Sequence, residues 1–140
     1  IDLVSAKPAL DMYDPHWSIR TGHSPLAPAR FIQGESLQSP QITNTLINAG
    51  SIVEDAKIAN SVIFQNVRVN AHSQLDACVI LPDVSIGYAC RLQRCIVDSG
   101  CVLPNKLVIG EDPQWDAQHF YRSEGGIVLV TQKMLDNLAA

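Results

Sequence analysis

Residues 46–109 read LINAGSIVEDAKIANSVIFQNVRVNAHSQLDACVILPDVSIGYACRLQRCIVDSGCVLPNKLVI. Aliphatic side chains recur at Leu46, Ile52, Ile58, Ile63, Val69 and Leu75, then at Ile80, Ile86, Leu92, Val97, Leu103 and Ile109. The steps run six, six, five and repeat, so every third position stands 17 residues further on. An α-helix brings together residues three and four apart, and a hairpin strand alternates every two, so neither yields this pattern. A fixed period of this length marks a solenoid. The spacing predicts an all-β, single-stranded parallel β-helix over 46–109, with three short strands to a coil.

Two residues before each step, from Ile52 on, stand Gly50, Ala56, Ser61, Val67, Ser73 and Cys78, then Val84, Cys90, Cys95, Cys101 and Leu107. Positions i and i−2 of a strand share a face. Each strand therefore turns one large and one smaller side chain inward, as the narrow axis of a triangular tube requires. All four cysteines fall in the smaller column, and no CxxC pair exists. They read as small buried hydrophobes, and free thiols of this kind suit a cytoplasmic compartment. Asn70, Asp76, Gly87, Asp98 and Gly110 follow the large residues and are expected to turn the corners in left-handed conformations. Each large inward residue contributes roughly 2 kcal/mol of burial.

The flanks differ. Residues 1–45 carry five of the eight prolines and little periodicity; they are expected to be an extended connector with a short strand near Arg30–Gln33. Residues 110–140 are expected to form a helix–strand–helix cap. Asp112 starts a helix containing Trp115–Tyr121, Gly125-Gly126 breaks it, Ile127–Val130 is a strand, and Thr131 caps a helix over Gln132–Leu138. No step exceeds six, so the coils are expected to carry no inserted loop.

With a net charge of −4, the chain lacks the footprint of a nucleic-acid or anionic-membrane binder. No apolar run approaches a membrane span. The opening Ile1-Asp2-Leu3 has neither an initiator Met nor a signal-peptide character and reads as part of something longer. Of the four histidines, only His72 lies in the coils. A metal site needs about three converging ligands and a general base needs a partner, so no catalytic residue or metal ligand is assigned. Arg91 and Arg94 lie off the inward columns and, with Arg122 and Lys133, are candidates for binding an anion; a solvated face is the alternative. Val53, Val62, Val79 and Val102 also lie off those columns and are candidates for contact with another domain or subunit.

The stretch Asp11-Met12-Tyr13-Asp14-Pro15-His16-Trp17-Ser18-Ile19-Arg20-Thr21 closely resembles the connector of bacterial glucose-1-phosphate adenylyltransferases. So do Val67-Arg68-Val69-Asn70, Ile80-Leu81-Pro82, and Phe120-Tyr121-Arg122-Ser123-Glu124 with Gly126-Ile127-Val128-Leu129-Val130-Thr131. The resemblance implies that the helix is left-handed, against the usual crossover preference. It implies the C-terminal regulatory and oligomerising domain of an enzyme that makes ADP-glucose and pyrophosphate from ATP and glucose 1-phosphate in glycogen synthesis. Mg²⁺ would serve that reaction. Its partners would be its own N-terminal catalytic domain, homotetramer subunits, and phosphorylated metabolites as effectors. The chain departs from the family where Ser99, Gln132 and Asp136 replace basic residues, which leaves Lys133 as the cation of the last helix and weakens phosphate binding there. The hexad pattern alone also fits a trimeric acyltransferase or a purely structural assembly module.

Overall fold

The computed structural model describes residues 25–35 and 39–139. The Asp11–Thr21 motif, His16, His23 and the first prolines lie outside the described residues. The first coil is β1 (Arg30–Ile32), β2 (Gln41–Thr43) and β3 (Leu46–Ile47). The second is β4 (Ile52–Glu54), β5 (Lys57–Ala59) and β6 (Val62–Ile63), and the third β7 (Arg68–Val69), β8 (Gln74–Asp76) and β9 (Val79–Ile80). The fourth is β10 (Ser85–Ile86), β11 (Arg91–Gln93) and β12 (Cys95–Val97), with β13 (Val108–Ile109) beginning a fifth. The cap follows as α1 (Pro113–His119), β14 (Tyr121–Arg122), β15 (Val128–Val130) and α2 (Gln132–Ala139).

Each strand pairs in parallel with the equivalent strand of the next coil, which gives three flat ladders around one core. Sheet A holds β1, β4, β7 and β10; sheet B runs from β2 through β5, β8 and β11 to β13; sheet C stacks β3, β6, β9, β12 and β15, with antiparallel β14 outermost. This is the left-handed parallel β-helix that the spacing and the resemblance call for. It begins sixteen residues earlier than Leu46, because β1 and β2 already occupy sheets A and B. The connector expected over 1–45 therefore gives its last third to the coils. The cap likewise lends β15 to sheet C, where Cys95, Ile96 and Val97 pair with Val128, Leu129 and Val130.

The inward columns follow the expected rule from Ile58 onward. Ile58, Ile63, Val69, Leu75, Ile80, Ile86, Leu92, Val97, Leu103 and Ile109 are all buried. Two earlier assignments shift by one residue. Ile47, not Leu46, pairs with inward Ile63, and Val53, not Ile52, pairs with inward Val69. The earliest coils stand sixteen residues apart, not seventeen, because Val53 reaches Ile58 in five steps where Val69 needs six to reach Leu75. Adjacent aliphatics in both strands hid the slip, and a one-residue slip exchanges the faces.

The smaller column is buried as expected once Ser51 replaces Gly50. It also bonds. The hydroxyls of Ser51, Ser61 and Ser73 accept the backbone N–H of Val67, Cys78 and Cys90 in the next coil. Ser73 Oγ donates to the Gly87 carbonyl at 2.8 Å, and the Cys78 and Cys90 thiols donate to the carbonyls of Leu92 and Pro104. A small polar group thus satisfies backbone that the corners leave unpaired.

The corners themselves differ from expectation. Left-handed residues form three columns: Asn44, Asn60, Ala77 and Arg94; Asp55, His72, Ala89 and Lys106; Gly50, Asn66, Asp83 and Gly100. Of the five expected corner residues only Gly110 has positive φ. Gly87 is needed for space, since a Cβ there would stand 2.8 Å from the Asn105 amide nitrogen. The tip of each corner donates its N–H to the coil before, as Arg94 does to Asp76 and Ala89 to Ala71. Asn44 to Asn60 and Asn60 to Asp76 add side-chain rungs along one edge.

Within 46–109 the strands follow one another without an inserted loop, as expected; eight residues of sequence separate β1 from β2, ahead of that stretch. In the cap, Asp112 Oδ1 accepts from the N–H of Gln114 and Trp115, as an N-cap should. The helix runs Pro113–His119, two residues earlier than expected, and Tyr121 is in strand β14. Thr131 caps α2, accepting from Met134 N–H at 3.4 Å.

Candidate functional site

The coils bring the charged candidates to different places. Arg91 stands on the outer face of sheet B, where its Nη2 lies 3.1 Å from Glu111 Oε2. It lines a groove of about 350 Å³ with Lys57, Gln74, Asp76, Gln93 and Glu111. Lys133 is exposed on α2, beside Gln132, which accepts from Val102 N–H and donates to Asp136 Oδ1. Gln132 thus ties the last rung of sheet A to the helix.

Arg94 and Arg122 do meet. Arg94 sits at a corner with φ +49 and donates from Nη2 to the Gly125 carbonyl at 2.7 Å. Arg122, on β14, is carried to the same corner because β14 pairs with β15 and β15 with β12. A Cβ built on Gly126 would lie 3.2 Å from Arg122 Nη2 and 3.7 Å from Arg94 Nη1. Among the described residues neither guanidinium is in an ion pair with a carboxylate; those pairs are Arg91–Glu111 and His72–Asp55. Sequence spacing could not reveal this meeting, since 28 residues separate the two and only the return of the chain as β15 joins them.

Beneath that corner lies Asp116. It is 2% exposed, its Oδ2 accepts Gly110 N–H at 3.0 Å, and its Oδ1 has no partner. Burial raises its pKa, with the Gly110 N–H opposing. Nothing in the sequence pattern singled it out.

His72 sits at a corner with φ +62, its Nδ1 3.6 Å from buried Asp55 and its ring edge-on to Tyr88. The pair orients an imidazole at a small pocket that Ser39, Lys57 and Ser73 also line, the Ser73 hydroxyl being engaged by the backbone of Gly87 and Cys90. The thiols are free and buried. Cys95 Sγ donates to Cys78 Sγ at 3.6 Å; that bond and burial raise the Cys95 pKa well above 9.0. Burial also raises Cys90 and Cys101, while the bond from Cys95 lowers Cys78 against its own burial. Thiols shut in a core are out of reach of substrate and solvent metal. No group of three metal-binding side chains occurs among the described residues, nor any helix long and apolar enough to cross a membrane.

The apolar candidates divide. Val53 is not on the surface at all: it is 0% exposed, an inward residue by the register shift above. Val62 and Val79 do face outward, in a column on sheet C that runs Leu46, Val62, Val79, Ile96, Leu129 and ends at Tyr121. Val102 is 61% exposed at the end of sheet A and stands apart from them.

A family model described as "GlmU-like, C-terminal hexapeptide" matches residues 27–130, from the entry into β1 to the end of β15. The chain belongs to that family. The match covers every coil of this hexapeptide-repeat domain. Its curated relatives include proteins named glucose-1-phosphate adenylyltransferase. One from Pectobacterium carotovorum is 48% identical over 138 residues, 99% of this chain and 32% of the relative. One from Yersinia pseudotuberculosis is 48% identical over 140 residues, 100% of the chain and 33% of the relative. One from Enterobacter is 47% identical over 138 residues. This domain therefore spans about a third of the length of the relatives it matches.

Proposed function

We propose that this domain is the assembly and regulatory platform of a glucose-1-phosphate adenylyltransferase, the enzyme class that joins ATP and glucose 1-phosphate to give ADP-glucose and pyrophosphate. The observation that carries the reading is the near half-identity, over the whole chain, to enzymes of that name. What the domain holds agrees with a platform. Its cysteines are locked in the core, and the Ser73 hydroxyl near His72 is committed to the backbone of Gly87 and Cys90. Turnover on this reading belongs to the rest of the enzyme, and a Mg²⁺ ion serving it would bind there.

The outward column from Leu46 to Leu129 suits a contact with the catalytic domain or a neighbouring subunit, because it is an unbroken line of aliphatic side chains of which all but the buried Val62 stay partly exposed. Phosphorylated metabolites are the effectors this reading expects, and a homotetramer in the cytoplasm its working form. The experiment is an assay of ADP-glucose formation. The full-length protein should turn over and the isolated 140-residue chain should not. Activity in the isolated chain, or none in the full-length protein, would overturn the proposal.

A further inference from the structure

We propose that Arg94 and Arg122 form a two-guanidinium clamp above Gly126 that binds the phosphate of a small phosphomonoester. The inference deepens the regulatory reading above and rests on it for the kind of ligand, but the site stands on its own geometry.

Arg94 is held by its whole residue. Its N–H donates to the Asp76 carbonyl at 3.0 Å, its carbonyl accepts from Val128 N–H at 3.0 Å, and its Nη2 grips the Gly125 carbonyl at 2.7 Å. The same corner column uses Asn44, Asn60 and Ala77, so nothing in the turn itself asks for a long cation. Arg122 comes from the opposite direction on β14. Its other side chain contacts impose no hydrogen bond or ion pair among the described residues.

The turn between them is shaped for access. Gly126 has φ +84 and no side chain, and the space a Cβ would fill lies 3.2 Å from one guanidinium and 3.7 Å from the other. On Gly125 an added Cβ would meet nothing closer than Ser123 Oγ at 3.9 Å. The turn is closed below by Gly126 N–H to the Ser123 carbonyl at 3.0 Å and Ile127 N–H to Ser123 Oγ at 3.1 Å. The carboxyl nearest in charge to Arg122 is Asp116, which is buried and engaged with Gly110 N–H. Glu124 is the acid of the turn itself and is exposed.

Two guanidiniums that approach the same point above Gly126, neither in an ion pair among the described residues and with only the buried Asp116 carboxyl acting on Arg122 from below, call for an anion. A carboxylate brings one charge. A phosphomonoester brings nearly two near neutral pH, with three acceptor oxygens that planar guanidinium forks engage in pairs. Arg91 and Lys133 do not belong to the clamp: one is paired with Glu111 and the other is on α2.

The test uses the 140-residue chain and inorganic phosphate as probe, with sodium chloride at matched ionic strength as control. Amide and arginine Nε–H resonances are followed by NMR. Phosphate should shift Gly125, Gly126 and the two arginine signals along a saturating curve. Arg122→Gln loses no internal hydrogen bond and should weaken that binding about tenfold or more, with the rest of the spectrum unchanged. Arg94→Gln should do the same. A response that matches chloride, or saturation that survives Arg122→Gln, overturns the clamp. Failure here is separable from failure of the proposed function: phosphate can bind at this corner in a protein that makes no ADP-glucose, and an active enzyme can lack the clamp.

Discussion

Replacing Ser73 with alanine removes one atom and should cost more than most core deletions of that size. Its Oγ is in a residue with no solvent exposure, donates to the Gly87 carbonyl at 2.8 Å and accepts from Cys90 N–H at 3.1 Å. Alanine leaves both backbone groups in a dry interior. Each orphan costs about 1–3 kcal/mol, and partial relaxation brings the expected loss to about 3 kcal/mol. Ser73→Cys should cost only about 1 kcal/mol, because a thiol still donates, as Cys78 and Cys90 do from equivalent positions to Leu92 and Pro104. Urea unfolding of the three proteins, followed by circular dichroism, measures the difference. Since each coil rests on its neighbours, the alanine variant should also show a broader transition as the third and fourth coils uncouple. If the alanine and cysteine variants unfold within about 0.5 kcal/mol of each other, the small column is filler and the hydrogen bonds do not matter.

Three further outcomes are expected. Asp116 has its folded pKa raised by burial, so the folded state holds its proton more tightly than the unfolded one, and stability falls as pH rises from 3.8 through the folded value; Asp116→Asn should raise the melting temperature at pH 7 and not at pH 3, and equal effects at both would refute this. Gly110→Ala should cost about 3 kcal/mol or more, because φ is +93 and the new Cβ would meet the Gln93 carbonyl oxygen, whereas Gly100→Ala at φ +72 meets nothing within 4 Å and should cost about 1 kcal/mol. The four thiols, all at most 1% exposed, should resist an aromatic disulfide reagent at pH 8 in the folded chain and all react in urea; rapid labelling of the native protein would contradict the buried columns.

The tube was legible because its signal is a translation: inward residues repeat wherever the coils are 17 apart, from Ile58 to Ile109. It failed where the period itself changed. Between Val53 and Ile58 the corner Glu54-Asp55-Ala56 is one residue shorter than its counterpart after Val69, and the neighbours Leu46-Ile47 and Ile52-Val53 are aliphatic on both faces. Strands β1 and β2 were partly hidden because eight residues of sequence stand between them, which breaks the spacing. Corner residues were misplaced because the parallel backbone bonds hold the turns open: Ala77, Ala89 and Lys106 take left-handed angles that their chemistry does not advertise. The cap's helices were found from Asp112 and Thr131, whose capping chemistry is local. Arg94 and Arg122 stood among four anion-binding candidates, but which of the four meet depends on the chain leaving the tube after β13 and returning as β15, a long-range event with no period.

That return also gives the stack a direction. At its far end sheet C closes in the opposite sense with β14, and Gln132 ties off Val102 at the last bridge of sheet A. At the near end, β1, β2 and β3 have no strand beyond them among the described residues, and Phe31 is 51% exposed. A filament grows by fitting one end to a different, complementary end. At the far end the two-residue β14 and the Gln132 tie leave only short, irregular edges, which disfavours the head-to-tail fit that a filament needs.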